Sequence, residues 1–167
     1  MKNLLSLSLA VIVISIIACT GKMDIETEKA AIKAVIEEEK NAFFAQDFNR
    51  MAATWVQEPS SIKLYMTGKG PVEFLGWEKI AEHDKENIPK SPSEYEKMNC
   101  IFSDYNFNIN DNNSWVVLKA TWDGLYNGSL EHVEQTRILA FKKIEGKWKY
   151  SLMAIYVIPQ EKKKASR

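Results

Sequence analysis

The sequence predicts an α+β domain, with helices packed on one face of a long curved antiparallel sheet. Three observations carry this prediction. Apolar residues recur at helical spacing from Asp24 onward. The stretch from Tyr95 to Ile158 instead divides into four long runs rich in β-branched and aromatic residues. Tight turn signals separate those runs, the strongest being Asn127-Gly128. Helices gathered early in a chain and strands gathered late favour segregated layers over a βαβ alternation.

In the first helix Ile25, Ile32, Val35 or Ile36, and Phe43 form the apolar stripe. Glu26, Lys29, Lys33, Glu37 and Lys40 stand between them, Asp24 is the expected N-cap, and the helix ends near Ala45. Asp47 reads as the cap of a second helix, Phe48 to Trp55, closed by Pro59. Ile62 to Met66 and Val72 to Leu75 are short strand candidates around a Gly68-Lys69-Gly70-Pro71 turn. Gly76 precedes a helix from Trp77 to about Asn87, and Pro89 and Pro92 mark a loop. The four long strands are Tyr95–Asn108, Ser114–Tyr126, Ser129–Lys143 and Lys147–Ile158. A four-stranded sheet curved around one long helix forms a cone, whose open mouth is a natural ligand site.

The chain has 167 residues, of which 1–19 read as a leader, 24–158 as the domain and 159–167 as a charged tail. Lys2, the apolar run Leu4 to Ile17 and the ending Ile16-Ile17-Ala18-Cys19 have the form of a secretory signal. That run is about 14 residues, short of the roughly 20 a membrane-spanning helix needs. The residues before Cys19 resemble a bacterial lipobox. The resemblance implies an acylated Cys19 and a protein held in the cell envelope by its lipid. Thr20 is not the aspartate that marks inner-membrane retention, so the outer membrane is the expected address.

Lys plus Arg equals Asp plus Glu, at 22 each, which gives no argument for nucleic acid. With Cys19 lipidated, Cys100 has no intrachain partner and reads as a small buried hydrophobe. There is no His-x-x-x-His, Cys-x-x-Cys, phosphate loop or Gly-x-Ser-x-Gly elbow, so no metal or cofactor is expected.

Several short patterns together resemble NTF2-like domains of the SnoaL or ketosteroid-isomerase-like kind, over about residues 25–158. They are Gln46-Asp47 with the helix ending in Trp55 and Glu58-Pro59, then Gly76-Trp77-Glu78-Lys79-Ile80, then Phe141-Lys142-Lys143-Ile144-Glu145-Gly146-Lys147-Trp148. The resemblance implies a cystatin-like cone with a deep pocket and pairing through the sheet into a homodimer. Such domains include isomerases, cyclases, dehydratases and non-catalytic binding domains, so the fold does not fix a function. In many relatives a histidine follows the last-strand tryptophan by four residues; here that position is Leu152, with Ala154 two further on.

Proton transfer would need a carboxylate base and an oxyanion donor facing one pocket. Asp123, Tyr65 and His132 are the catalytic candidates. Asp123 and Tyr126 are three apart and so point to opposite faces of a regular strand, although Gly124 between them suggests a bulge. His83, among Glu82, Asp84 and Lys85, reads as part of a solvated face. Arg137 shares a strand face with Val133 and Gln135, and facing inward it would suit an anionic group. The aromatics must mostly be core, but some would line a cone. Trp55, Tyr65, Trp77, Trp122, Arg137 and Tyr156 are the expected ligand contacts, Trp77 foremost.

These readings lead to an envelope lipoprotein whose domain binds a small apolar ligand or an envelope partner. The alternative is a ketosteroid-isomerase-like or SnoaL-like enzyme acting on an apolar carbonyl compound. A third is a structural dimer whose cone is filled by side chains.

Overall fold

The computed structural model describes residues 23–88 and 97–158. The leader with Cys19, the Pro89–Pro92 loop and the charged tail lie outside the described residues. The first helix, α1 (Ile25–Phe44), starts where Asp24 caps it, its carboxylate accepting a hydrogen bond from Glu26 N at 3.1 Å. Its buried stripe is Ile32, Ile36, Glu39 and Ala42, so a carboxylate occupies a core-facing position. Asp47 caps α2 (Phe48–Ala53) through Arg50 N at 3.0 Å.

The second helix stops short of Trp55, against the sequence expectation. Tyr150 N donates to Thr54 O, and Val56 N donates to Tyr150 O, both at 2.8 Å. The backbone around Trp55 is thus recruited by the last strand and leaves the helix. Its ring is fully buried and packs on Tyr150 with centroids 5.3 Å apart.

Then follow β1 (Ile62–Thr67), β2 (Gly70–Leu75), α3 (Trp77–Asn87), β3 (Asn99–Ile109), β4 (Asn113–Tyr126), β5 (Ser129–Ile144) and β6 (Lys147–Val157). They form one six-stranded sheet in the order β2-β1-β6-β5-β4-β3. The expected four-stranded antiparallel meander is present, but β1 adds to β6 in parallel and brings β2 with it. The sheet is therefore larger than expected and mixed.

Both late hairpins turn on two residues of positive φ, Asn127 (49°) with Gly128 (78°) and Glu145 (49°) with Gly146 (77°). That is the type I′ geometry whose twist matches the strands. Gly76 also has positive φ, 88°, and its N–H donates to Ser61 O at 2.8 Å while Trp77 N donates to Glu58 O at 3.0 Å. These bonds fix the start of α3 against the β1 side of the cone.

Curvature has identifiable sources. The β3–β4 register shifts between Ser103 and Asn106, where Asp104 has φ 53°, and the β5–β6 register shifts between Ala140 and Phe141. Bulges of this kind bend a strand and increase its twist. Gly124 marks no bulge, since β4 and β5 pair without interruption from Asn113 to Tyr126. Its role is close approach: a Cβ there would lie 2.4 Å from Lys97 O and 2.5 Å from Met98 Cα. The concave face closes on α1 over a core that includes Ile32, Ile36, Trp55, Leu118, Phe141 and Tyr150.

Gly124→Ala should therefore force the backbone at Lys97–Met98 away from β4. The expected cost is about 1–3 kcal/mol, of the order set by overpacking. A thermal melt lowered by several degrees, with cooperativity retained, is the expected outcome, and an unchanged melting temperature would contradict it.

Candidate functional site

The mouth of the cone holds a cavity of about 140 Å³ between α1, α3 and the concave side of the sheet. A site of about 150 Å³ accommodates a benzene-sized group. Its wall is charged as well as aromatic. Glu39 from α1, Lys63 from β1, Asp84 from α3 and Arg137 from β5 all line it, and each is at least nine-tenths buried. Buried charges are costly unless paired or neutralised, so each needs its own account.

Lys63 and Asp84 form a direct ion pair. Burial opposes the Lys63 ammonium, but the neighbouring acidic groups of Tyr65, Asp84 and Glu39 outweigh it and hold the lysine above its usual range. The second oxygen of Asp84, Oδ2, is buried with no hydrogen-bond partner among the described residues. Glu39 receives no hydrogen bond among the described residues. Burial raises its pKa, only partly offset by the positive charges of Lys63 and Arg137. Its carboxyl is thus biased towards the neutral, protonated form.

Arg137 is the exception in this set, because among the described residues no carboxylate pairs with it. Its Nε donates to Gln135 Oε1 at 3.0 Å, and its guanidinium lies 5.3 Å from the Phe102 ring centre and 5.6 Å from that of Trp122. Trp122 Nε1 donates to the same Gln135 oxygen at 3.3 Å. Both partners can only donate, which fixes the orientation of the Gln135 amide.

Tyr65 lines the cavity and is backed by His83. The imidazole stacks on Phe74 at 3.9 Å, its Nε2 lies 3.4 Å from the Tyr65 hydroxyl, and Asn87 Nδ2 lies 3.1 Å from Nδ1. The amide donates to Nδ1, which leaves Nε2–H to face Tyr65. Burial, and next the charge of Lys63, lowers the His83 pKa, so the ring is neutral at pH 7. His83 is therefore half-buried behind the cavity wall and is not part of a solvated face.

Of the six expected ligand contacts, the structure brings Tyr65, Trp122 and Arg137 to this cavity. Trp55 is core. Trp77 lies outside the cavity, stacked on Phe48 at 6.5 Å. Tyr156 stands on the outer face of the sheet, half exposed. Asp123 and His132 also face outward, paired across strands at 2.5 Å, away from the cavity that Tyr65 lines. The three catalytic candidates therefore do not share a site. Glu39, Lys63, Asp84 and Gln135 line the cavity and were not expected.

No protein-family model matches the sequence, and no curated protein matches it. Solved structures do. An NTF2-like superfamily protein from Salmonella enterica aligns over 86% of this chain and all of its own, with a TM-score of 0.66 at 13% identity. A Novosphingobium aromaticivorans protein provisionally described as a scytalone dehydratase covers 80% of this chain and 86% of its own, with a TM-score of 0.66 at 12% identity. A Nostoc punctiforme protein of unknown function with a cystatin-like fold covers 80% and 93%, with a TM-score of 0.61 at 15% identity. The fold is NTF2-like, a cystatin-like cone.

The raised pKa of Glu39 has a measurable consequence. A group whose folded pKa lies above its unfolded value contributes stability that is fully present at low pH and is lost as pH rises through the folded pKa. Glu39→Gln should therefore change little at pH 4 and raise the melting temperature by a few degrees at pH 8. A variant less stable than the parent at pH 8 would show that the ionised carboxylate is favoured in the fold.

Proposed function

We propose that this is a lipid-anchored envelope protein whose cone binds a small molecule through a carboxylate group. The observation that supports it is the buried Arg137 guanidinium on the cavity wall, with which no carboxylate among the described residues pairs. The charge count favours an anion. Lys63 and Asp84 cancel, burial biases Glu39 towards its neutral form, and the Arg137 guanidinium stays charged. Lys40 at the rim is already paired with Glu37. The wall beyond these groups is apolar or aromatic, with Phe43, Met51, Trp122, Met153 and Ile155. The ligand is thus not simply apolar, as the sequence alone suggested, but an apolar body with an acidic group.

A second reading, a proton-transfer enzyme, is favoured by Glu39. It is a buried carboxylate on the cavity wall, without a hydrogen bond among the described residues and biased towards protonation. It suits that role better than Asp123 or His132, which lie outside. No tyrosine hydroxyl bonds to Glu39 among the described residues, and this keeps binding as the leading reading. The exposed Trp115, Ile138 and Tyr156 on the outer sheet face support a homodimer.

Two outcomes are expected. In isothermal titration of the full-length protein in mild detergent, benzoate should bind at least about tenfold more tightly than benzyl alcohol, the scale of a charge-assisted hydrogen bond. Arg137→Met should abolish that preference and Arg137→Lys keep part of it; equal affinity for acid and alcohol would refute the reading. In cells, Cys19→Ser should move the protein from the detergent phase to the aqueous phase and remove the acyl mass. Retention in the membrane would rule out the lipid anchor.

A further inference from the structure

The chamber is not the whole site. A second, more open groove of about 390 Å³ adjoins it, lined by Met98, Tyr126, Glu131 and Val133 together with Phe43, Trp122 and Gln135. The last three also line the chamber, so the two spaces share a wall. They differ in chemistry. The chamber carries the buried charges, whereas the groove is mainly aromatic and aliphatic, with Glu131 its only formal charge among the described residues.

Gln135 stands at the junction with its orientation fixed. Its Oε1 already accepts from Trp122 Nε1 at 3.3 Å and from Arg137 Nε at 3.0 Å. Its Nε2 makes no hydrogen bond among the described residues. Among the described residues the junction therefore presents donors, the Gln135 amide and the Arg137 guanidinium two residues along the same strand face. Donors without acceptors select an anionic oxygen group over a neutral hydroxyl. Beyond the junction the Trp122 ring and the Val133 side chain, register partners on β4 and β5, continue as apolar wall. Glu131 further along disfavours a second negative charge there.

We propose that the ligand is an amphiphilic monoanion. Its carboxylate sits on Arg137 and Gln135, and its apolar body runs across Trp122 into the outer groove. This rests on the carboxylate-binding reading and adds where the rest of the molecule goes. It assigns Gln135 to recognition of the acid and Val133 to recognition of the tail.

The test is a ladder of ω-phenylalkanoates, from benzoate to 6-phenylhexanoate, titrated into the full-length protein with detergent-only titrations subtracted. Affinity should rise roughly two- to fourfold for each added methylene, the gain expected when a methylene leaves water. Suberate, with a second carboxylate at its far end, should bind at least about tenfold more weakly than octanoate. Val133→Asp should flatten the ladder. Affinities that stay flat beyond benzoate, or a ladder that Val133→Asp leaves intact, would overturn the two-compartment site while leaving carboxylate binding in place. Binding of no carboxylate at all would overturn both.

Discussion

A buried lysine must be matched by a carboxylate, and that requirement governs how this cone is closed. Lys63 enters from β1, a strand joined to the sheet only through its parallel pairing with β6 and its hairpin with β2. Asp84 meets it from α3, whose first turn is tied to Glu58 and Ser61 by backbone hydrogen bonds. The ion pair thus ties α3 to the β1 side of the sheet and places both at the cavity. Removing one partner of such a pair leaves a bare buried charge, a cost of about 3–5 kcal/mol. Apolar packing alone could close the cone as firmly. The pair leaves a polar wall in a position where packing would have left a dry one.

Once Lys63 and Asp84 are matched, the remaining charges acquire meaning from what they lack. Glu39 comes from the core-facing stripe of α1 and meets no hydrogen-bond donor among the described residues, so burial drives it towards neutrality. Arg137 cannot escape in that way, because a guanidinium stays charged in proteins. It rests on two aromatic faces and one amide oxygen, which lessen the cost of burial without cancelling the charge. The cavity is therefore a shaped, partly aromatic space with a buried guanidinium in its wall. Its small volume sets an upper size on what can be fully enclosed.

Much of this architecture was legible in the residues. The two longer helices begin and end where caps and periodicity put them, because Asp24 and Gly76 bound strong local signals. The late hairpins follow from Asn127-Gly128 and Glu145-Gly146, whose positive φ is a local property. The pairing of β1 with β6 was not legible, since it joins Ile62 to Leu152 and leaves no local trace. For the same reason Trp55 looked like a helix end. Glu39 could have been found: it interrupts a helical stripe that Ile32 and Ile36 direct into the core. Lys63 shares a strand face with Tyr65, a weaker clue of the same kind. The aromatics misled because a cone has two sides, and composition does not say which of them Trp77 or Tyr156 faces.

The most direct test of the proposed carboxylate-binding cone is a crystal structure with 4-bromobenzoate, in which the anomalous signal of bromine locates the ligand independently of the protein. The account predicts a carboxylate about 3 Å from the terminal nitrogens of Arg137 and from Gln135 Nε2, with the bromine beside Trp122 and Val133. A bromine found on the outer sheet face, or a carboxylate bound elsewhere while Arg137 keeps its present neighbours, would contradict it.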